Sequence, residues 1–482
     1  NSGGTLIMPA LGTHASPYSG QWYPAGAASL ERLADSCLEA SAKRTGEALL
    51  ADPAGFVVPH AGIAFSGTVA AAAYRYLLRK PPERVFLLGF PHRGGAPGIW
   101  LPDAEAYQTP LGTTRVDLDT VRSLAEGGEF RLTPEDRVCD HSVEIQLPFL
   151  QRCAPGARLV PIYVTRPEAE LRRAAARRLA ALLGPGDVLI ASSDFTHYGR
   201  AFGFLPFPVD SKTGELLRSL DAGAIEAAAS LDEEIFLSSL RESGATVCGV
   251  EPISLLLATL AALGDSDEVF QEKLDYQTSG EITDDFEHSV SYAALGYFRH
   301  SSLALTQQDQ ALLLKSARKT LEGYQRTGRR EAVPPERVTP ALARRAGLFV
   351  SLHKGRDLRG CVGRVTAEDS IAASVPEMTL AAACEDSRFP PVGAAETGIQ
   401  IEISVLSPMK RVASKEKIRA GTHGVLVESG WHRGLLLPQV ASERGWDTGQ
   451  FLAALAAKIG VRPEIFDAPE TRIYRFRAQV FH

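Results

Sequence analysis

The sequence predicts an α/β protein of two domains, and three observations carry that prediction. The chain has 482 residues, which at roughly 150 residues per domain is too long for one small module. Hydrophobic residues make up 45% and charged residues 22%, as is typical of a globular chain. Short apolar runs alternate with helical segments until the polar stretch RHSSLALTQQDQ near residue 300. We therefore expect an α/β domain over residues 1–299 and a smaller α+β domain over 305–482.

Four apolar runs are the predicted strands of the first domain: GFVVPH (55–60), VFLLGF (85–90), RLVPIYV (158–164) and DVLIASSDF (187–195). Helices are predicted where apolar residues recur at helical spacing, in TVAAAAYRYLLRK, EAELRRAAARRLAALLG and CGVEPISLLLATLAALG. Strands that alternate with helices are typical of a mostly parallel sheet flanked by helices.

The second domain begins with a predicted helix from Gln307 to Gly323, because QQDQALLLKSARKTLEG has helical spacing and ends on glycine. Four strands are then predicted, in GLFVSLHKG, LRGCVGRV, IQIEISVLS and GVLVES. This order of elements indicates a mixed α+β unit.

Charge and cysteine usage restrict the class of protein. The net charge is −6, and residues 301–482 carry 26 Lys and Arg against 19 Asp and Glu. This small excess, without a basic stripe or interleaved aromatic residues, argues against nucleic-acid binding. No apolar run approaches the roughly 18 residues of a membrane span. The six cysteines are scattered without a CxxC pair, and the opening residues lack a signal-peptide pattern, so we expect a cytoplasmic protein.

Three histidines follow predicted strands of the first domain. His60, His92 and His197 lie just beyond the C-terminal ends of three strands, the edge at which open α/β sheets bind ligands. Cys248 opens a predicted helix, where a thiol tends toward a lowered pKa. If His60, His92 and Cys248 gather on one ion, two imidazoles and a thiolate suit Fe(II), Cu or Zn.

Further candidate residues accompany this set. In CDHSVEIQLPF, Glu144 falls one helical step after His141 and is placed to share its face. In SSDFTH, Asp194 precedes His197 by three residues, which suits either a histidine oriented by a carboxylate or an N-cap aspartate with an exposed histidine.

Cys361 is the candidate catalytic residue of the second domain. It lies in the glycine-flanked LRGCVG, which favours either close approach of a ligand or a small buried side chain. Arg388 in DSRFPP either binds an anion or pairs with Asp386. The chain has no Walker motif, no GxGxxG after a strand and no GxSxG, so nucleotide-binding and acyl-hydrolase functions lack their motifs.

The strings PHAG, LLGFPH, DHSVEIQLPF, SSDFTHYG, CGVEPI and SYAALGYF resemble, in order and spacing, the Memo family, AmmeMemoRadiSam system protein B, over about residues 15–298. The resemblance implies the fold of the class III extradiol (LigB-type) dioxygenases. It also implies a metal pocket of His60, His92 and Cys248, with Asp194 and His197 beside it and His141 and Glu144 lining the cleft.

Two departures from the family patterns bear on the reaction. The family commonly has Ser-His-His where this chain has Phe90-Pro91-His92-Arg93, so the neighbouring imidazole is absent and only His92 remains. The ring-cleaving dioxygenases use two histidines and a carboxylate, whereas the third donor here is Cys248. The resemblance therefore implies an iron or copper redox site more than any named reaction.

The second domain resembles the AMMECR-type domain, AmmeMemoRadiSam system protein A, through GLFVSLHKGRDLRGCVG (347–363), EDSRFPPV (385–392), IEISVLSP (401–408) and GLLLPQVASERGWD (434–447). The name of this system implies a radical SAM protein as partner.

We therefore expect an Fe(II) redox enzyme acting on a small substrate, for which a phenol is the candidate. His197 or His141 moves the proton in this hypothesis, and Asp194 or Glu144 orients the imidazole. Two alternatives stay open: a non-catalytic recognition module with a dioxygenase-like cleft, and a Zn-dependent hydrolase.

Overall fold

A computed structural model describes residues 12–48, 50–264, 269–366 and 368–482 of the chain. The chain folds as two units, Asn1–Arg299 and His300–His482, called unit 1 and unit 2 below. Within the described ranges, no helix is both long and apolar enough to cross a membrane.

Unit 1 contains twelve strands in its described part: β1 (Gly12–Ala15), β2 (Pro53–Val58), β3 (Arg84–Gly89), β4 (Gly98–Pro102), β5 (Ala104–Thr109), β6 (Gly112–Arg115), β7 (Arg131–Thr133), β8 (Arg158–Thr165), β9 (Asp187–Ser192), β10 (His197–Gly199), β11 (Val269–Thr278) and β12 (His288–Arg299). Its helices are α1 (Ala27–Thr45), α2 (Ile63–Arg79), α3 (Leu118–Glu126), α4 (Glu135–Val138), α5 (His141–Glu144), α6 (Leu147–Cys153), α7 (Ala169–Leu182), α8 (Thr213–Ala229), α9 (Glu233–Ser243), α10 (Val250–Ala262) and α11 (Ser279–Thr283).

The main sheet of unit 1 has the order β10-β12-β2-β9-β3-β8-β4-β7, with β11 paired to β12. Its four central strands, β2, β9, β3 and β8, are parallel. The pairs on either side, β12 with β2 and β4 with β8, are antiparallel. The sheet is therefore mixed rather than mostly parallel. Between β11 and β12 the chain runs through only one short helix, too short for the crossover that parallel neighbours require, so these two strands pair antiparallel.

Burial explains why the four predicted strands form the centre of this sheet. β2, β3 and β9 are buried along almost their whole length, as expected for strands covered by helices on both faces. On one side, Val69 and Ala72 of α2 pack against Tyr292 and Ala294 of β12. The centre of the sheet is therefore rigidly packed, and its strand ends give a fixed platform for side chains.

Unit 2 contains eight strands in its described part: β13 (Leu348–Lys354), β14 (Asp357–Arg364), β15 (Ile399–Leu406), β16 (Lys410–Val412), β17 (Gly424–Ser429), β18 (His432–Leu436), β19 (Arg472–Phe476) and β20 (Ala478–Phe481). Its helices are α12 (Gln307–Thr327), α13 (Pro340–Ala343), α14 (Ile371–Cys384), α15 (Pro438–Arg444) and α16 (Thr448–Lys458). The eight strands form two four-stranded sheets, β14-β13-β15-β20 and β16-β19-β17-β18. Each sheet has its own apolar core.

The first helix of unit 2 is longer than its sequence pattern predicts. It continues through Gly323 and ends at Gly328, whose φ of 68° is the left-handed conformation that favours glycine. Tyr324, beyond the predicted end, packs against the first core of unit 2, and this contact extends the helix by one turn.

Candidate metal centre

The carboxyl ends of β2, β9 and β3 meet at one edge of the main sheet. His60 follows β2, His92 follows β3, and Cys248 precedes the first turn of α10. The ligating atoms of these three residues all lie within 4.8 Å of one another. The predicted metal ligands therefore come together, although the chain brings them from three separate segments.

His60 is buried and held on two sides. Its backbone N–H donates to Asp194 Oδ1 at 2.8 Å, and its Nδ1 lies 3.1 Å from Ser192 Oγ. Its Nε2 lies 3.1 Å from Cys248 Sγ. Burial, with a further contribution from the charge of His92, lowers the pKa of His60 to about 3. The ring is therefore neutral at physiological pH, which is the form that ligates metals.

His92 is oriented by the carboxylate of Asp140, which the sequence pattern does not indicate. Its Nδ1 donates to Asp140 Oδ1 at 2.8 Å, and its backbone N–H donates to Asp140 Oδ2 at 3.1 Å. Burial alone would raise the pKa of Asp140, but the hydrogen bond from His92 and the one from the Ser142 N–H help to lower it to about 2. Because the carboxylate holds the proton of Nδ1, the lone pair of Nε2 is free to bind a metal ion. This arrangement is common among metal-binding histidines.

We expect Asp140→Asn to weaken metal binding about 10- to 100-fold, because the amide keeps the size of the side chain but removes the charge that orients His92. The fold is expected to persist, since an amide oxygen still accepts the helix-capping bond from the Ser142 N–H. Competition with a chelator measures the affinity. The exposed Asp119→Asn is the control, and an unchanged affinity in Asp140→Asn would contradict the role given to Asp140.

Cys248 is fixed by the loop that follows β9. The Asp194 N–H donates to Cys248 Sγ at 3.1 Å. A Cβ on the next residue, Gly249, would lie 2.7 Å from the backbone oxygen of Ser192, so only glycine allows this approach. Burial, and then the charge of Asp194, raise the pKa of the Cys248 thiol well above its usual value. The expected lowering by the helix is not seen, because desolvation outweighs it; a bound cation would favour the thiolate.

His141 lies between two aromatic rings. It stacks on His92 with ring centroids 4.0 Å apart and on Trp22 at the same separation. Its Nδ1 lies 3.3 Å from Asp140 Oδ1. Burial lowers the pKa of His141 to about 3 despite the charge of Asp140. His141 therefore belongs to the cluster as a neutral ring, and Asp140 is its neighbouring carboxylate.

Glu144 does not orient His141. Its side chain is fully buried, and its Oε1 accepts a hydrogen bond from His14 Nε2 at 3.0 Å. The helix α5 is a single turn, and its two ends face different partners: His141 lies against Trp22, and Glu144 lies against the histidine of β1. His14 gives no signal in the sequence, because nothing local to it indicates a partner 130 residues away.

Asp194 and His197 both lie beside Cys248, and the ligating atoms of these three residues fall within 4.8 Å of one another. Asp194 does not hold the ring of His197, however. The His197 Nδ1 lies 3.0 Å from the backbone oxygen of Phe195 and 3.2 Å from that of Thr246. Since a carbonyl only accepts, Nδ1 carries the proton and Nε2 is the basic nitrogen.

The buried carboxylate of Asp221 holds the loop that follows β9. Asp221 accepts hydrogen bonds from the backbone and the hydroxyl of Thr196 and from the Tyr276 hydroxyl. Burial raises the pKa of Asp221, although these hydrogen bonds oppose the change. These hydrogen bonds fix the position of Thr196. The sequence pattern gives no signal for this network.

The remaining predicted residues lie in unit 2. Cys361 is on β14, where its neighbours include Ser351 and Asp386. Arg388 pairs with Asp386 through two hydrogen bonds, at 2.9 and 2.7 Å. Arg388 therefore pairs with Asp386, and more than half of its side chain stays exposed.

Comparison with known proteins gives two family matches. A family model described as Memo-like protein matches residues 14–296, and one described as AMMECR1 matches residues 314–481. A MEMO1 family protein of Methanosarcina acetivorans is 33% identical over 58% of this chain and 96% of its own length. The memo-1 homologue of Caenorhabditis elegans is 29% identical over 60% of this chain and 83% of its own length. A protein of Methanothermobacter thermautotrophicus is 40% identical over 37% of this chain and 96% of its own length.

Proposed function

Because this chain belongs to the Memo-like protein family and carries an AMMECR1 domain after it, we propose that unit 1 is a redox enzyme dependent on non-haem iron. The observation that carries the proposal is the convergence of His60, His92 and Cys248. Their donor set fits Fe(II), with Cu and Zn as chemically close alternatives, and disfavours Mg or Ca, which prefer oxygen ligands. Iron, when bound, would supply electron-transfer and O₂ chemistry.

The protein residues have separate tasks in this proposal. His60, His92 and Cys248 hold the ion, and Asp140 fixes the ring of His92. His197 has its Nδ1 engaged by backbone oxygens, so its Nε2 is available to take a proton from a substrate hydroxyl. His141 is a less suitable base, because its ring is enclosed between His92 and Trp22 and its pKa is about 3.

Aromatic side chains beside the ligands support a flat, phenolic substrate. The ring of Phe90 lies 4.1 Å from that of His92, and Tyr18 meets His141 edge-on at 5.6 Å. Such surfaces bind a planar ring by stacking and edge contacts. From the family resemblance we also propose a radical SAM protein as the partner that supplies or consumes the substrate.

The proposal is tested by the metal content and oxygen uptake of the wild-type protein purified without air. We expect stoichiometric iron, and uptake of oxygen with a panel of phenols that stops on chelation and returns with Fe(II). Zinc as the native metal, with ester hydrolysis in place of oxygen uptake, would favour the hydrolase. Protein without metal or oxygen uptake that still binds a radical SAM protein, with an affinity that added Fe(II) does not change, would favour the recognition module. Either result contradicts the redox proposal.

A further inference from the structure

The imidazole of His60 is the end of a chain of buried hydrogen bonds that begins on α2. Ser192, at the end of β9, has its Oγ 3.1 Å from His60 Nδ1. Gln146, directly before α6, donates through Nε2 to Ser192 Oγ at 3.0 Å and to the backbone oxygen of Pro59 at 2.9 Å. The Tyr74 hydroxyl donates to Gln146 Oε1 at 3.0 Å. The four side chains are each at most 2% exposed, so the whole chain is shielded from solvent.

The amide of Gln146 has only one orientation that satisfies its neighbours. The Pro59 carbonyl only accepts hydrogen bonds, so the amide nitrogen, not the amide oxygen, must face it. Both Nε2 hydrogens then have an acceptor, and Oε1 has a donor in Tyr74. A buried network whose members are all satisfied is rigid. Because Pro59 directly precedes His60, Gln146 holds both the backbone before this ligand and the hydroxyl beside its ring.

The Ser192 hydroxyl determines which nitrogen of His60 faces Cys248. Nδ1 lies against the hydroxyl, and Nε2 lies 3.1 Å from Cys248 Sγ. A histidine that binds a metal through Nε2 carries its proton on Nδ1, and that proton needs an acceptor. The Ser192 oxygen has two lone pairs, and Gln146 occupies one of them. The other lone pair is therefore available to the Nδ1 proton of His60.

The two imidazoles of the proposed centre have partners of different charge. His92 Nδ1 donates to the carboxylate of Asp140, whereas the partner of His60 is a neutral hydroxyl. A hydrogen bond to a charged group is about twice as strong as one between neutral groups. A neutral hydroxyl therefore holds the ring of His60 well only if the hydroxyl is itself fixed, and the amide of Gln146 fixes it.

We propose that Gln146, acting through Ser192, is a positioning residue for His60 and thereby sets the affinity of the centre for its metal. The inference rests on the metal centre proposed for unit 1, but not on the identity of the metal or on the reaction. Neither residue contacts the ion in this proposal. Removing either one should leave the three donors in place and free the ring of His60 from its fixed orientation.

Titration of full-length, metal-free protein with Co(II) tests the proposal. The visible bands of Co(II) report the geometry of its donors, and a near-ultraviolet band reports its bond to a thiolate. Competition with a chelator gives the affinity. We expect Ser192→Ala and Gln146→Leu each to weaken Co(II) binding about tenfold. The visible bands should shift in both variants, whereas the thiolate band should persist because Cys248 is retained.

A double-mutant cycle tests whether Gln146 acts through Ser192. If the two residues form one chain, the double variant Ser192→Ala, Gln146→Leu should bind Co(II) about as weakly as the weaker single variant. Independent effects would instead multiply to about 100-fold. Gln146→Glu keeps the size of the side chain and the acceptor for Tyr74, so it takes the place of Gln146→Leu in the cycle if the leucine variant does not fold.

Two control variants separate positioning from a purely structural role. Ser41→Ala removes an equally buried hydroxyl, for which the described part of the chain offers no hydrogen-bond partner. Gln151→Leu removes an amide of α6 that donates to the Gly112 oxygen and to Thr114 Oγ1. Both controls should keep the affinity and the visible bands of the wild type, even where they lower the unfolding temperature.

The outcomes distinguish this inference from the metal centre on which it rests. Wild-type affinity and unshifted visible bands in Ser192→Ala and Gln146→Leu would overturn the inference alone. A loss of about 100-fold in the double variant would show that Gln146 does not act through Ser192, which also overturns it. Absence of Co(II) binding by the wild-type protein would overturn the proposed centre and the inference together.

Discussion

Protein carrying His92→Ala or Cys248→Ser is expected to be purified without metal and to consume no oxygen with phenols. Each change removes one of the three converging donors, and a serine hydroxyl stays protonated where the thiol can ionise. Removing a metal ligand should weaken metal binding more than removing Asp140, the hydrogen-bond partner of a ligand. We therefore expect the affinity for the metal to fall by more than about 100-fold. Metal analysis and an oxygen electrode measure the two effects on one preparation.

His432→Ala and Cys384→Ser are the matched controls, because both residues lie in unit 2. The ligand variants should unfold at a temperature close to that of wild-type protein freed of metal, which separates lost ligation from misfolding. Full metal content and turnover in His92→Ala would exclude this histidine as a ligand and with it the proposed centre.

His14→Gln is expected to destabilise unit 1 by about 3–5 kcal/mol at pH 6, because it leaves the buried Glu144 carboxylate without its charged partner. Burial opposes the charged form of His14, but Glu144 and Glu135 together raise its pKa above the usual 6.5. A histidine whose pKa is higher in the folded than in the unfolded chain stabilises the fold fully at pH values below its unfolded pKa. This stabilisation is lost as the pH rises through its folded pKa. The difference between variant and wild type should therefore shrink between pH 6 and pH 8.5.

Hydrogen exchange of unit 1 peptides at the two pH values measures this free energy in the full-length protein. The double variant His14→Gln, Glu144→Gln is the control, since removing the charge from both partners should restore much of the lost stability. A difference that is the same at both pH values would show that His14 acts by packing rather than by charge.

The local sequence pattern was sufficient to predict the ligands of the proposed metal centre. His60 and His92 were predicted because each directly follows an apolar run of strand length, and runs of that kind form the parallel centre of the sheet. Cys248 was found because it precedes a strongly apolar helix. In each case the evidence lies within a few residues of the side chain concerned.

The hydrogen-bond partners of the site residues could not be predicted from the local sequence pattern. Asp140 is a helix N-cap in sequence terms, and its contact with His92 depends on how α5 packs against the end of β3. Glu144 was assigned to His141 from helical spacing, but its partner comes from the strand β1. The antiparallel edges of the main sheet were missed for the same reason, since apolar runs indicate burial but not strand direction.

The order of the strands also determines when a metal can enter the protein. β2, which precedes His60, lies between β9 and β12, and Cys248 follows His60 by 188 residues. While the ribosome is still making the segment before Cys248, the nascent chain carries two of the three donors without the third. The sheet closes only after β12, ending at Arg299, has left the exit tunnel. Loading of the centre is therefore expected late in synthesis or after it, and prematurely terminated chains that end before Cys248 should emerge without metal.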